Sequence, residues 1–453
     1  MADLFEQTSE LLAELEPRFP YVAAEFSGAG GVQISDNGRE QDASEEPPSR
    51  GVVFTVYDGE AFHELATSDL GGDQTVREVR AWAAPLRAPG GRRYDASPTR
   101  FFAPEVQRDP GDVSLKEKLA LVRDMQQRAQ QLDSRIVQVQ VRYRDRTQES
   151  VYLGQGKHLE QHVPHVIMQV LILTSDGNQV RYGVTQSGAT GGFEHAAIGD
   201  EALLHTAEIA VRLLGAKAIE PGDYDTITDP SVSGTIAHES FGHGVEMDLF
   251  PKGRARAAHY FNERVAAPVV QMYDDPSVPG AYGSYFFDAD GELAAPVQII
   301  RDGVFVSPIS DLSSATFASG PHTPNGRRQD FTRKTYARMS NTFFGKGDSD
   351  PAAMIASVDH GIYLHQAESG VEDPMGWGIQ VTASYGEEIE HGRLTGRLFA
   401  PVAITGYVPE LLRSVRMIGN DLVLEPGTCG KGFKEMVPVS VGGPHLLVRA
   451  HLG

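Results

Sequence analysis

The chain contains a single cysteine, Cys429. No intrachain disulfide can form, which sets aside the disulfide-stapled secreted domains and leads us to expect a cytoplasmic protein. Long apolar runs are also missing. No stretch of about 18 apolar residues exists, so no segment reads as a membrane-spanning helix. Met1 to Glu16 are acidic and amphipathic, without the basic start and apolar core of a signal peptide. Basic residues are outnumbered, 40 against 61 acidic, for a formal charge of −21. That balance argues against nucleic acid and anionic membranes as main partners. Ser187–Gly192 reads as a Gly-rich loop, but it lacks a phosphate-binding lysine and no βαβ unit frames it, so a nucleotide site is rejected.

With 453 residues, the chain exceeds what one hydrophobic core organises, and about two or three domains are expected. Leu4, Phe5, Leu11, Leu12 and Leu15 share a helical face that Pro17 ends. Residues 36–50 are polar, acidic and proline-ended, and read as an exposed loop. Val52–Tyr57 and Ala61–Ala66 flank Asp58-Gly59 as a hairpin. Residues 85–113, rich in Pro, Gly and Arg, read as a linker or long loop and a possible sub-boundary. Ser114–Glu117 forms a capping box for a helix through Leu132. Two strands follow, Val137–Tyr143 and Val151–Leu153, then a hairpin of Val166–Leu173 and Gln179–Val184 around Asp176-Gly177, and a helix over 200–214.

This half, residues 1–221, is expected to be an α+β domain with antiparallel sheets. Beyond 222, short apolar runs separated by Gly, Pro, Asp and Asn predict a β-rich domain, a barrel or sandwich, over 222–453. Short helices are expected near 311–317, 352–360 and 409–413.

One stretch concentrates chemistry: TIAHESFGHGVE, residues 235–246. Asp229-Pro230 supplies an N-cap and first-turn pair for its helix. Zinc proteases with the H-E-x-x-H motif place two histidines at i and i+4 on one helical face, with a general-base Glu beside the first. Here His238 and His243 are at i and i+5, roughly 140° apart on a regular helix. A bulge of the i→i+5 type would realign them, and Gly242 and Gly244 tolerate one. Glu239 follows the first histidine, in the place of a base for metal-bound water. A catalytic zinc needs a third protein ligand. Glu263 lies 20 residues past His243, but Phe261-Asn262-Glu263-Arg264 suits a solvated Glu equally. Glu246, one turn on, is better placed to orient a histidine. Cys429, in Gly427-Thr428-Cys429-Gly430-Lys431, reads as inert core, metal ligand or nucleophile, with Lys431 favouring its thiolate. Spacing alone leaves the third ligand open.

The chain resembles the TldD/PmbA family of metalloproteases over nearly its whole length. The matching stretches include GVVFTVYDGEAFHELATSDL (51–70), DSRIVQVQVRY (133–143), HESFGHGVEMD (238–248), YDDPSVPGAYGSYFFDADG (273–291), TPNGRRQD (323–330), RMSNTFF (338–344) and MIGNDLVLEPGTCGKG (417–432). The resemblance implies zinc held by His238, His243 and Cys429, with Glu239 as catalytic carboxylate. It implies a catalytic subunit, since the family's inactive partner subunits lack the motif. It also implies a dimer, with an identical chain or an inactive paralogue, whose enclosed site admits unfolded or short peptides. Residues 433–436 (FKEM) depart from the family pattern, Ser240, Phe241 and Met247 stand where smaller residues are expected, and the first 130 residues match more loosely. The rival readings are a non-catalytic partner subunit with structural metal and a metal-dependent amidase on non-peptide substrates.

Overall fold

Tight hairpins organise the N-terminal half, each turning on residues that accept a left-handed backbone. A computed structural model describes residues 2–432 and 435–453. Its first sheet contains β1 (Tyr21–Asp36), β2 (Gln41–Tyr57), β3 (Phe62–Thr67), β4 (Arg100–Phe102), β5 (Ile136–Gly154), β6 (Lys157–Ser175) and β7 (Val180–Thr190). The order is β3-β2-β1-β5-β6, with β4 and β7 sharing the outer edge of β6. Gln155 and Gly156 join β5 to β6 with φ of 52° and 75°, the two positive values that a two-residue type I′ turn needs. In the Asp58-Gly59 and Asp176-Gly177 turns, the aspartate Oδ1 accepts two backbone N–H groups.

Three expectations are corrected here. Residues 36–50 are not a loop: β2 begins at Gln41 and pairs with β1 throughout the polar stretch. Backbone pairing does not need apolar side chains. Pro47 and Pro48, which cannot donate to a ladder, sit where the register slips between Ala29 and Gly31. The two strands expected over 137–153 are one 19-residue strand, β5. Ser187–Thr190 are not loop but the end of β7, paired with β6 through His165. A helix at Gly72–Ala83 was not anticipated. Residues 85–113 are mostly irregular, but β4 runs parallel to β6.

Helices cover one face of this sheet. Helices α1 (Ala2–Leu15) and α2 (Gly72–Ala83) bury Leu11, Leu15, Val76 and Val79 against Val22, Phe26 and Phe54. Helices α3 (Leu115–Gln130) and α4 (Asp200–Arg212) cover Val139, Val141, Val166 and Val170. Alternate residues point the other way. Tyr21, Ala23 and Tyr152 meet Phe287 of the C-terminal half on the opposite face.

In the second half, β8 (Gly222–Thr228) lies between strands Leu446–Leu452 and His360–Asp373. The latter pairs with Gly378–Glu390, which pairs with Val402–Tyr407, which returns to Leu446–Leu452. These five strands close a barrel. A separate six-stranded sheet ends on Asn341–Phe344, Glu435–Gly443 and Val423–Lys431. The expected short helices are found at Leu312–Ala318, Pro351–Ala356 and Val408–Arg413.

Helix α5 (Pro230–Ala237) is wedged between barrel and sheet. Asp229 caps it by accepting from Val232 N, and Pro230 opens its first turn. A Cβ on Gly234 would lie 2.2 Å from the backbone N of Gly442, so only glycine lets helix and strand approach this closely. Of the departing segment 433–436, Phe433 and Lys434 lie outside the described residues.

Candidate metal centre

The helix deforms where the motif begins. Past Ala237 it widens into a π-turn over His238–Gly242, then tightens into a 3₁₀ turn over His243–Val245. The extra residue in the wide turn cancels the angular offset of an i, i+5 pair. The two imidazoles consequently share a side, with ring centroids 5.0 Å apart and planes at 86°. Glycine at 242 is required by packing: a Cβ there would stand 2.1 Å from Sδ of the buried Met339.

Cys429 reaches this pair from the edge strand Val423–Lys431. It is buried, and its sulfur lies 3.4 Å from Nε2 of His243. One donor atom each from His238, His243 and Cys429 lie within 4.8 Å of one another. Zinc bonds of about 2.0–2.3 Å separate neighbouring donors by roughly 3.5 Å, so this spacing suits the ion with little adjustment. Nδ1 of His238 is buried with no hydrogen-bond partner. A thiolate with two imidazoles is also the donor set of a soft-to-borderline ion.

Charges around the donors are arranged in a second layer. Nδ1 of His243 lies 3.3 Å from Oε2 of Glu246, which orients the ring and leaves Nε2 turned to the sulfur. Lys431 donates to Glu246 at 3.1 Å and to Asp248 at 2.6 Å. Buried Arg338 donates to the carbonyl of Cys429 at 2.8 Å and to its sulfur at 3.3 Å. Burial pushes the Cys429 thiol up, but the charges of His243 and His238 and their hydrogen bonds outweigh it, and the thiol lies well below its ordinary range. Burial likewise opposes ionisation of Glu246, yet Lys431, His243 and Arg338 bring its carboxyl down to about 2.

Glu239 is half-buried and lines a cleft of about 930 Å³ together with His238. Gly370 packs on it so closely that a Cβ there would lie 2.4 Å from Cγ of Glu239. The cleft runs between β7 and α4 of the N-terminal half and α5, His360–Asp373 and Val423–Thr428 of the C-terminal half. Glu263 is exposed and lies outside the donor group.

Sequence reasoning missed Glu372. It stands beside Gly244, with both carboxylate oxygens buried and unpartnered, on the strand His360–Asp373. Burial pushes its carboxyl well above the usual range, with His243 opposing and Glu239 and Glu246 adding to the rise. Nothing local in Val371-Glu372-Asp373-Pro374 signals this, because the strand reaches the site through barrel pairing.

Comparison with known proteins agrees with this architecture. Residues 221–451 match the model of the PmbA/TldA metallopeptidase C-terminal domain, and residues 108–217 match that of its central domain. A metalloprotease of Methanothermobacter thermautotrophicus is 34% identical over 346 residues, covering 76% of this chain and 75% of the relative. A Synechocystis metalloprotease is 30% identical over 97% of this chain and 96% of its own. A zinc metalloprotease TldD homologue of Saccharolobus solfataricus is 27% identical over 50% of this chain and 51% of its own. Among solved structures, TldE from Thermococcus kodakarensis superposes with a TM-score of 0.75 at 16% identity, covering 99% of this chain and 100% of that one. A Thermotoga maritima protein described as a candidate modulator of a DNA gyrase gives 0.80 at 19%, with the same coverage. At these identities the two structures speak for the fold alone. The domain matches and the 34% identity over three-quarters of the chain decide its kinship: it is a metallopeptidase and belongs to the PmbA/TldD family.

Proposed function

We propose that the chain is a zinc-dependent peptidase that hydrolyses peptide bonds in unfolded or flexible segments. His238, His243 and Cys429 would hold the ion, and Glu239 would act as the general base. The observation that carries this reading is the convergence of those three donors beside a cleft that His238 and Glu239 line. Bound there, zinc supplies Lewis acidity to the scissile carbonyl and to a water molecule. Glu239 accepts the proton of the attacking water at a carboxylate oxygen and passes it to the nitrogen of the leaving amine. Glu246 holds His243 by its Nδ1, and Lys431 neutralises Glu246 in turn.

The borders of the cleft support a flexible substrate. Among the described residues, β7 pairs only with β6, and Val423–Lys431 pairs only with Glu435–Gly443. Both carry an unpaired edge at the cleft, and an extended segment laid there gains backbone hydrogen bonds that are indifferent to side-chain identity.

We read residues 1–221 and 222–453 as two domains with the cleft between them, and a homodimer or a pairing with an inactive paralogue as the working assembly. A single buried cysteine is consistent with the cytoplasm, and no helix among the described residues is long and apolar enough to cross a membrane. The test is metal analysis of the purified chain combined with mass spectrometry of products from an unfolded protein. Stoichiometric zinc with new peptide termini is expected. Zinc without any cleavage would favour a partner subunit with structural metal, and cleavage of small amides alone would favour an amidase.

A further inference from the structure

The charge of the cleft is one-sided. Four carboxylates line it, from Asp229, Glu239, Glu368 and Glu425, and among its described lining residues there is neither Lys nor Arg. Tyr182 donates to Glu368 at 2.6 Å, and Glu239 belongs to the catalytic end. Asp229 and Glu425 remain, and the charge of Asp229 raises the cost of ionising Glu425. Burial and then the charge of Asp229 push the Glu425 carboxyl up, with Ser231 and Gln186 as neutral partners. Asp229 receives backbone N–H groups, among them those of Val232 and Gln366. The imidazole whose charge bears on Asp229, His445, is held by Asp421 at 2.7 Å and Tyr363 at 2.6 Å.

A second observation points to the same wall. His365 lines this cleft with its Nε2 buried and without a hydrogen-bond partner. Its ring is clamped between Tyr363, at 3.9 Å, and Tyr385, at 4.5 Å and 11° from parallel. Burial brings this imidazole down to about 3, so it adds no positive charge to the pair of acids. Two carboxylates of one cleft wall, an orphaned polar nitrogen and a tyrosine face together form a receptor for a cation on an aliphatic stem.

We propose that the cleft selects peptide segments carrying a basic side chain, lysine or arginine, which Asp229 and Glu425 receive. The inference rests on the peptidase reading above and names its substrate class. Glu425 and Cys429 lie on the same face of one strand, four residues and about 13 Å apart. An extended segment with its scissile bond near Cys429 therefore sets a residue about four positions away beside Glu425. The preference belongs to one subsite rather than to the net charge of the chain.

The experiment uses the zinc-loaded full chain and N-acetylated peptides identical except for Lys, Ala or Glu, placed in turn at each position around the cleaved bond. The Lys peptide is expected to exceed the Glu peptide in kcat/KM by about tenfold or more at one position, with the ratio shrinking at high salt. Glu425→Gln should narrow that ratio to about two- to threefold, whereas Glu410→Gln, which removes an exposed charge outside the cleft, should leave it unchanged. Labelled peptides are also titrated onto Glu239→Gln, so that charge preference is read without turnover. Equal rates and equal Kd for the Lys, Ala and Glu peptides overturn the inference and leave the peptidase reading standing. Preferential binding of the Lys peptide with no cleavage by the parent chain sinks the peptidase reading and retains the cation subsite. A preference that appears only when the N-terminus is free transfers the cation to the α-ammonium group and overturns the side-chain assignment.

Discussion

The sulfur of Cys429 stands 3.4 Å from Nε2 of His243, although 186 residues separate them along the chain. Gly234 lets the helix approach the strand Glu435–Gly443, whose pairing with Val423–Lys431 carries Cys429 to the site. The contact accounts for the lone cysteine of the chain and makes the donor set open to direct tests.

Replacing Cys429 with serine exchanges a thiolate for a hard, neutral hydroxyl. Zinc retained after dialysis should fall well below one equivalent, with affinity reduced by more than about tenfold. Metal content equal to that of the parent chain would remove Cys429 from the donor set.

Glu239→Gln keeps the shape of the side chain and abolishes its basicity. Zinc content should be unchanged while kcat falls by about 10²–10⁴, the usual share of a general base. Cleavage at near-parental rates would refute the role given to Glu239.

Glu246 is 1% exposed and binds both His243 and Lys431. Glu246→Gln leaves the Lys431 ammonium with Asp248 as its one carboxylate partner among the described residues and His243 without an anionic partner. Weaker zinc binding by about 10–100-fold is expected, with a stability loss of about 3 kcal/mol for a broken buried pair. Metal titration and urea denaturation of the apo chain read the two effects separately. A variant matching the parent in both would show that Glu246 does not support the site.

Acid should destabilise the fold through histidines buried as neutral rings. Burial brings His165 down to about 3, with the charges of Arg327 and Arg146 acting in the same direction. The folded value lies below the unfolded one near 6.5, so the unfolded chain binds the extra proton. Stability is then complete above about pH 6.5 and is lost as pH falls toward 3, by up to about 4 kcal/mol for this group. Urea midpoints measured at several pH values should fall across that window, and His165→Gln should flatten the slope. A slope identical in parent and variant would exclude His165 as its source.

Gly234→Ala should be poorly tolerated, because the new methyl meets backbone atoms of Val441 and Gly442 rather than a mobile side chain. A loss of about 1–3 kcal/mol is expected, with zinc affinity falling as helix and strand separate. Thermal unfolding at parental Tm would mean that the two elements move apart without strain.

Local patterns carried much of this molecule. The Asp-Gly turns and the N-caps at Ser114 and Asp229 act within a few residues, and each is found where its chemistry predicts, while the return bond of the capping box is replaced by a pairing of Glu117 with Arg108. Patterns of burial misled where backbone pairing worked without them. Gln41–Arg50 pairs as strand with polar side chains in solvent, so alternation had nothing to report. The polar middle of Val137–Leu153 reads as a break between two strands, whereas the β5 ladder runs through it unbroken.

By itself the sequence determined which donors were available and how they must be presented. Two histidines at i and i+5, the second flanked by glycines, can serve one ion only on a deformed helix, because a regular one turns about 100° per residue. Turn residues determined the hairpins for the same reason, since φ and ψ are local properties. Only the tertiary structure decided which distant groups join the pair. Barrel closure carries Glu372 to Gly244, sheet pairing carries Cys429 and Lys431 to His243 and Glu246, and the packing of two halves makes the cleft with its one-sided charge. Separation along a chain does not encode separation in space once strands pair across more than a hundred residues, so those relationships exist only in the folded molecule.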